Sequence, residues 1–253
     1  RIKDSKKLAE AVKIIFSDVQ AKPLSSRKVV FGLPEAQVFL HNFNLGTHDK
    51  KNRDELVLQE VRLSIPIKED DLIYSYKVMS DTLAGTKFLI AAASRQLVKE
   101  WLDFFKSVNM EVEIFDIETL AVFRGLFTGL PQRPMCVLDI GSRTANVCIF
   151  DQFGLRYSFS SSIAGDVLTD AIAKAEGVDF AVAEKIKIEQ GLSVVNKKTA
   201  EALENELKKI DDSVREAMDY FKTETNESAE EIVLVGGGSQ LKGLEDRLKK
   251  VLN

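Results

Sequence analysis

The fold is decided by the stretch VLDIGSRTANV, residues 137–147. Its apolar residues predict a buried strand that delivers Asp139 to its carboxyl end, and Gly141 with Ser142 turns the chain into an antiparallel partner strand. Gly141 lets the backbone approach an anion closely, and successive N–H groups of the turn, with the Ser142 and Thr144 hydroxyls, are suited to cradle a phosphate. The alternative is a plain β-hairpin whose Asp and Ser make a local turn.

Asp139 is interpreted as a ligand of magnesium-bound water rather than as a direct phosphate contact. A carboxylate beside a phosphate repels it unless a Mg²⁺ ion lies between the two, and Mg²⁺ keeps several of its waters when it binds to proteins. The hairpin therefore predicts a phosphate loop with an associated magnesium site.

A second glycine-bearing bend lies in IVLVGGGSQLKGL, residues 232–244. A buried strand leads into Gly236, Gly237 and Gly238 and then into the start of a helix, where backbone N–H groups favour anions. The spacing is neither the GxGxxG of a dinucleotide fold nor the GxxxxGK[ST] of a P-loop. A tight strand-to-helix connection needs only one glycine, so three in a row favour close approach of a ligand to the backbone.

A third candidate lies in the predicted helix at residues 178–190, which contains AEKIK at 183–187. Glu184 and Lys187 are three residues apart and share one face of the helix. They could hydrogen-bond a ribose, or they could pair with each other in solvent. Taken alone, this spacing favours the solvent-exposed pair.

Outward from these motifs, the hydrophobic pattern predicts an α/β protein. The predicted elements, in chain order, are a helix at 4–19 capped by Asp4 or Ser5, strands at 28–34 and 36–43, a loop at 46–54, a helix at 55–63, strands at 72–79 and 87–93, a helix at 94–105 capped by Ser94, a strand at 112–115, a helix at 117–127, strands at 135–140, 145–150 and 155–160, helical structure at 165–226, a strand at 231–235 and a helix at 241–252.

Composition excludes several classes of function. The formal charge of −4 is spread over mixed acids and bases, so no basic face for nucleic acid is expected. No apolar run reaches the roughly 18–20 residues that cross a bilayer, and Arg1–Asp4 is neither a signal nor a transit peptide. Cys136 and Cys148 lack CxxC spacing and are predicted core residues with reduced thiols in a cytoplasmic protein. His41 and His48 lack the pairing of a zinc protease.

The order of these pieces resembles the actin-like ATPase superfamily and, within it, the PilM family of type IV pilus assembly proteins, with the FtsA cell-division proteins next nearest. Each matching segment is weak alone, but six stand in the same order as in the family. These segments are residues 29–34, 115–124, 139–144, 165–173, 183–187 and 236–239.

The resemblance implies a fold class and a domain organisation. The expected fold is an actin-like two-lobed ATPase fold with an inserted small α+β subdomain, lacking the N-terminal strands that carry a further phosphate loop in relatives. Residues 1–27 and 116–134 would be a remnant of the first lobe, and residues 28–115 the inserted, partner-binding subdomain. Residues 135–253 would form the second lobe, with a helical subdomain at 165–226.

The resemblance also implies ligands and partners. ATP and Mg²⁺ would bind between phosphate-facing Asp139, Gly141, Ser142 and Thr144, ribose-facing Glu184 and Lys187, and adenosine-facing Gly236, Gly237 and Gly238. The cytoplasmic tail of a PilN-type inner-membrane protein would dock on the first lobe near the insert, with other pilus assembly proteins in the same platform. The implied location is the cytoplasm at the inner face of the inner membrane. No nucleic acid or direct membrane insertion is expected, and a homo-oligomer is compatible with the family.

Three other interpretations remain open at this point. An FtsA-like cell-division tether would need a carboxyl-terminal amphipathic membrane helix. A sugar or acetate kinase of the same superfamily would need an acidic base in the cleft, and neither that base, a GxSxG motif nor another nucleophile–base set is found. A nucleotide-free adaptor would keep the loops as relics. We therefore expect a scaffold, compatible with weak ATPase activity, rather than a metabolic enzyme.

Overall fold

A computed structural model describes residues 2–17, 25–46, 52–82, 85–193 and 196–252. Contacts between Cα atoms divide the chain into two compact units, which meet in sequence between Val122 and Phe123. Among the described residues, no helix combines the length and the apolar character needed to cross a bilayer.

Unit 1 is a mixed α/β body built on two small sheets. Its elements are α1 (Ser5–Ser17), β1 (Lys28–Leu33), β2 (Phe39–Leu45), α2 (Arg53–Ser64), β3 (Leu72–Thr82), β4 (Gly85–Ser94), α3 (Arg95–Ser107) and β5 (Glu111–Ile117), followed by α4 (Glu118–Leu126), which runs across the boundary. The Asp4 carboxylate accepts hydrogen bonds from the first backbone N–H groups of α1, and the Ser94 hydroxyl does the same for α3.

Each sheet of unit 1 has its own apolar core. Strands β1 and β5 pair in parallel, and Phe31 packs against Trp101 and Phe105 of α3 with ring centroids 4.3 and 5.0 Å apart. Strands β2, β4 and β3 form an antiparallel sheet in that order, with α2 burying Val57 and Val61 in the cluster that contains Phe88 and Ile90 of β4.

Unit 2 is a four-stranded sheet packed against helices. Its elements are β6 (Met135–Ile140), β7 (Ala145–Asp151), β8 (Gly154–Ser161), α5 (Gly165–Glu176), α6 (Phe180–Gln190), α7 (Lys197–Thr225), β9 (Glu231–Val235) and α8 (Leu244–Leu252). The strand order is β8-β7-β6-β9, in which β6 and β9 are parallel and the other pairs antiparallel.

Alternation along β6 explains which face of this sheet is covered. Cys136, Leu138 and Ile140 share one face and belong to the apolar cluster that includes Leu203 and Leu207 of α7. The intervening residues, among them Asp139, point to the opposite face, so the helical core fixes the sheet while leaving a polar side chain at the carboxyl end of β6.

Most predicted elements are confirmed within a few residues, and three need correction. A 3-10 turn at Glu35–Gln37 replaces the start of the strand predicted from residue 36, because Glu35 turns inward to accept a hydrogen bond from the Thr119 hydroxyl at 2.8 Å. Helix α2 begins at Arg53, inside the predicted loop. Helix α8 begins at Leu244 rather than 241, because Gly243 has a positive φ of 86° that an α-helix cannot contain.

Other expectations have different outcomes. Cys136 and Cys148 are both buried, as predicted. His48 and Val19, at the end of the first predicted helix, lie outside the described residues. The inserted subdomain at 28–115 stays a prediction.

Candidate functional site

The parallel pairing of β6 with β9 brings the two glycine-bearing bends side by side. Asp139 is paired with Val235, so both strands end at the same edge of the sheet, and the bends after them leave from neighbouring positions. A cavity of about 390 Å³ lies there, lined by Gly141 and Ser142 of the first bend and by Gly237 and Gly238 of the second.

Six of the nine residues predicted for the site line this cavity, namely Gly141, Ser142, Glu184, Lys187, Gly237 and Gly238. Asp139, Thr144 and Gly236 do not line it. The Thr144 carbonyl accepts a hydrogen bond from the Gly141 N–H at 2.9 Å and so closes the first turn.

The first loop is held in place by the start of α5. The Gly165 N–H donates to the Gly141 carbonyl at 3.0 Å, and the Asp166 N–H donates to the Ser142 carbonyl at 2.7 Å. These bonds use the first N–H groups of α5, which are therefore occupied by the loop. Within the described part of the chain, the N–H groups of Ser142 and Arg143 make no hydrogen bond and remain available to an acceptor.

The three glycines of the second loop have different physical roles. Gly236 has a φ of 79°, and a Cβ there would overlap the Asp139 carboxylate and the Ile140 backbone; a Cβ on Gly238 would overlap the Ile140 side chain. Gly237 has no atom within 4 Å of a Cβ position. Two of the glycines are therefore required by packing, and only Gly237 leaves open space beside the cavity.

The segment after Gly236 also differs from the prediction. Gly237–Gln240 form a short 3-10 turn, and α8 starts only at Leu244. The expected α-helix amino terminus at the glycines is thus absent from this part of the described chain, and open backbone at Gly237 replaces it as the feature that a ligand can use.

Glu184 and Lys187 form a partly buried network instead of a solvent-exposed pair. The Lys187 ammonium donates to Glu184 Oε2 at 2.7 Å, to Thr169 Oγ1 at 2.7 Å and to the Gly165 carbonyl at 3.0 Å, and its side chain is only 13% exposed. Thr169, which is fully buried, also contacts Glu184 Oε2, so its single hydroxyl hydrogen is shared between that oxygen and the Gly165 carbonyl.

This network decides the charge state of Glu184. Burial pushes the pKa of Glu184 upward, but the hydrogen bonds donated by Lys187 and Thr169 outweigh it and hold the pKa below the ordinary value. The carboxylate is therefore charged at neutral pH, and its Oε1 makes no hydrogen bond among the described residues.

The pKa of Asp139 is shifted in the opposite direction to that of Glu184. Its side chain is half-buried and makes no hydrogen bond or ion pair among the described residues, and burial raises the pKa of its carboxyl above the ordinary value of 3.8. The carboxylate is thus destabilised in the free chain and lacks a cationic partner, which an ion such as Mg²⁺ would supply.

Sequence reasoning missed several cavity residues. Leu168, Ile188 and Leu241 make an apolar wall, and Thr169 anchors Lys187. Thr169 lies in one of the segments that resemble the PilM family, and that resemblance was the only indication in the sequence that Thr169 belongs to the site. The apolar residues looked like ordinary core positions, although Ile188 is 63% exposed.

Comparison with solved structures establishes the class. MreB5 of Spiroplasma citri bound to AMPPNP matches with a TM-score of 0.59 at 15% identity, over 99% of this chain and 69% of that one. A chain of a PilM-PilN type IV pilus biogenesis complex matches with a TM-score of 0.82 at 22% identity, over 99% of this chain and 74% of that one. The fold is that of an actin-like α/β protein.

The family is established by sequence comparison. A family model described as type IV pilus assembly protein PilM matches residues 1–253, and the chain belongs to that family. The cell division protein FtsA of Buchnera aphidicola subsp. Baizongia pistaciae (strain Bp) is 28% identical over 119 residues, which are 46% of this chain and 28% of FtsA. The chain thus spans less than a third of that curated relative. The predicted resemblance to PilM within the actin-like superfamily is confirmed.

The glycine geometry predicts unequal effects of identical substitutions. Gly236→Ala and Gly238→Ala should each lower the free energy of unfolding of unit 2 by more than about 1 kcal/mol, because a methyl group meets backbone or β-branched side chain there and the φ of Gly236 adds strain. Gly237→Ala should change it by less than about 1 kcal/mol. Hydrogen exchange of β6 amides measures the effect, and equal losses in all three variants would contradict this assignment.

Because the carboxyl of Asp139 has no partner among the described residues, we expect replacing it with an amide to stabilise the chain in a pH-dependent way. Because its folded-state pKa is raised, its contribution to stability is fully present below pH 3.8 and is lost as pH rises through the raised value. Asp139→Asn should therefore stabilise the chain at pH 7 in EDTA, and the gain should shrink as pH falls toward 4. Urea unfolding measures it, with the exposed Asp170→Asn as control; an Asn variant less stable at pH 7 would refute the argument.

Proposed function

We propose that this chain is an ATP- and Mg²⁺-binding scaffold of the type IV pilus inner-membrane platform, which binds the cytoplasmic tail of a PilN-type partner. The observation that carries the nucleotide part is the cavity at the ends of β6 and β9, which is lined both by Gly237, with its open Cβ position, and by Gly141 and Ser142 of the first loop. Membership of the PilM family supports the role in pilus assembly.

The phosphate end of the nucleotide fits the first loop. The N–H groups of Ser142 and Arg143 have no partner among the described residues, and such groups bind phosphate oxygens. Thr144 closes the turn through its carbonyl. Asp139, half-buried and unpartnered, would hold Mg²⁺ through water, and the ion when bound supplies positive charge between carboxylate and phosphate.

The nucleoside end fits the opposite part of the cavity. Glu184 Oε1 is free to accept a hydrogen bond from a ribose hydroxyl, because both Lys187 and Thr169 bind Oε2. Lys187, with three acceptors already, acts by holding Glu184 and the start of α5 in place. The exposed side chain of Ile188 and the backbone of Gly237 offer an apolar surface for a flat base.

The partner part of the proposal rests on the family and on one structural relative. The chain has the fold of a protein solved in a PilM-PilN complex. By analogy, the partner's tail would bind unit 1 within residues 28–115, and the protein would lie at the inner face of the inner membrane through that contact. MreB5 of Spiroplasma citri, solved with AMPPNP, supports nucleotide binding by the same fold.

Nucleotide binding is tested with a fluorescent ADP analogue and Mg²⁺ in a titration of the chain. We expect saturable binding that Gly237→Leu weakens at least about tenfold, corresponding to about 1.4 kcal/mol, because the new side chain enters the cavity. Gly129→Leu is the matched control, since its Cβ position is equally open and it does not line the cavity. Equal affinities in both variants, with unfolding unchanged, would exclude this cavity as the site.

Partner binding is tested with a synthetic peptide of a PilN-type cytoplasmic tail. Hydrogen exchange of the complete chain should show protection by the peptide within residues 28–115, and a scrambled peptide of the same composition should give none. Protection confined to unit 2 would contradict the proposed docking surface. Peptide binding by a chain that binds no nucleotide would instead identify a nucleotide-free adaptor.

A further inference from the structure

Three polar side chains form one continuous row across the sheet of unit 2. Asp139 on β6 is paired directly with Asn146 on β7, and Asn146 is paired directly with Ser160 on β8. Residues at directly paired positions project from the same face, with Cβ atoms about 4.5–5.5 Å apart. This face is opposite to the one that carries Leu138 and Ile140 into the helical core.

Every member of the row has a side-chain oxygen without a hydrogen-bond partner among the described residues. Asn146 is only 3% exposed, and its Oδ1 is buried without a bond; Ser160 Oγ is buried and equally unbonded. They account for two of the four such atoms in the part of the chain that the structure describes. Turning the Asn146 amide over would only leave a nitrogen in the same position. Asp139 has no polar partner within the described ranges either.

Packing alone does not explain these residues. A buried polar group without a partner costs about 1–3 kcal/mol, and an apolar side chain avoids that cost. The adjacent row on the same face shows the ordinary solution, with Val137 on β6 paired with Cys148 on β7, whose thiol is within 3.8 Å of the Ser158 hydroxyl. Polar groups that recur in register and stay unbonded within the protein can be satisfied by a water or an ion bound between them.

The side-chain atoms of the row indicate which kind of species would bind there. A carboxylate, an amide carbonyl and a hydroxyl offer oxygen atoms alone, which suit hard divalent cations and their waters. The cross-strand spacing is too wide for all three side chains to bind one ion directly, but Mg²⁺ normally keeps several waters. Among the described residues, no group of three or more His, Cys, Asp or Glu is placed to hold a metal ion, and the row instead combines a single carboxylate with neutral oxygens.

We propose that Asp139, Asn146 and Ser160 together hold a hydrated divalent cation, with Asp139 nearest the ion and with Asn146 Oδ1 and Ser160 Oγ binding its waters. This deepens the proposed function, because it assigns two residues from β7 and β8 to the magnesium site at Asp139. Next to the row, the missing Cβ of Gly236 leaves room for the Asp139 carboxylate.

The test uses Mn²⁺ as probe, followed by electron paramagnetic resonance on the complete chain without nucleotide. We expect one site, which Asn146→Val and Ser160→Ala each weaken about 10-fold or more, as second-layer partners of metals commonly do. Ser158→Ala is the matched control, with the same substitution on the same strand and face. In EDTA, Asn146→Val should raise the melting temperature, whereas a purely structural Asn146 would lower it.

Two results would overturn the proposal: no Mn²⁺ retained by the unaltered chain, or retention that Asn146→Val and Ser160→Ala leave unchanged. Binding of the ADP analogue in the presence of Mg²⁺, measured in parallel, keeps the two proposals apart. If ADP binds but the variants do not affect Mn²⁺, the row is wrong and the nucleotide site stands. If Mn²⁺ responds as expected but ADP does not bind, the cation row stands and the nucleotide proposal is wrong.

Discussion

Parallel pairing between β6 and β9 is the constraint on which the candidate site depends. Five consecutive residue pairs, from Met135 with Glu231 to Asp139 with Val235, fix the register, so both strands end together. The two bends must then share one edge of the sheet, and their backbones come so close that a Cβ on Gly236 would overlap the Ile140 carbonyl. A shift of one residue would exchange the two faces of β6 and place Asp139 in the helical core.

Around that edge of the sheet, hydrogen bonds link the first loop, α5 and α6 to one another. The start of α5 holds the Gly141 loop through two backbone bonds, and Lys187 of α6 holds the start of α5 through the Gly165 carbonyl and Thr169. Because the Lys187 side chain is largely shielded from solvent, losing one of its acceptors would cost more than losing a surface ion pair. These bonds tie the elements that line the cavity to one another, which lowers the ordering entropy that opposes ligand binding.

The sequence predicted the elements well where one local rule decided them. Alternating apolar residues placed β6 and β7, and Ser94 marked the start of α3. The sequence-based prediction failed where a contact distant in sequence determines the local structure. An example is Glu35, which turns toward Thr119 in another element. Three glycines in a row indicated a ligand, yet only coordinates reveal that Gly236 and Gly238 serve packing. The partners of Lys187 were equally hidden, since two of them lie on α5.

The sheet of unit 2 contains buried polar side chains that reduce the stability of the fold. One face is a closed apolar cluster, and the other face continues as ordinary core at Val137 and Cys148. Only the row nearest the glycine loops breaks this pattern, with Asp139, Asn146 and Ser160 all polar and all unbonded among the described residues. Natural sequences violate packing rules mainly where function requires it. Because this row lies in the same register as the end of β9, we propose that the loops and the row contribute to one ligand site.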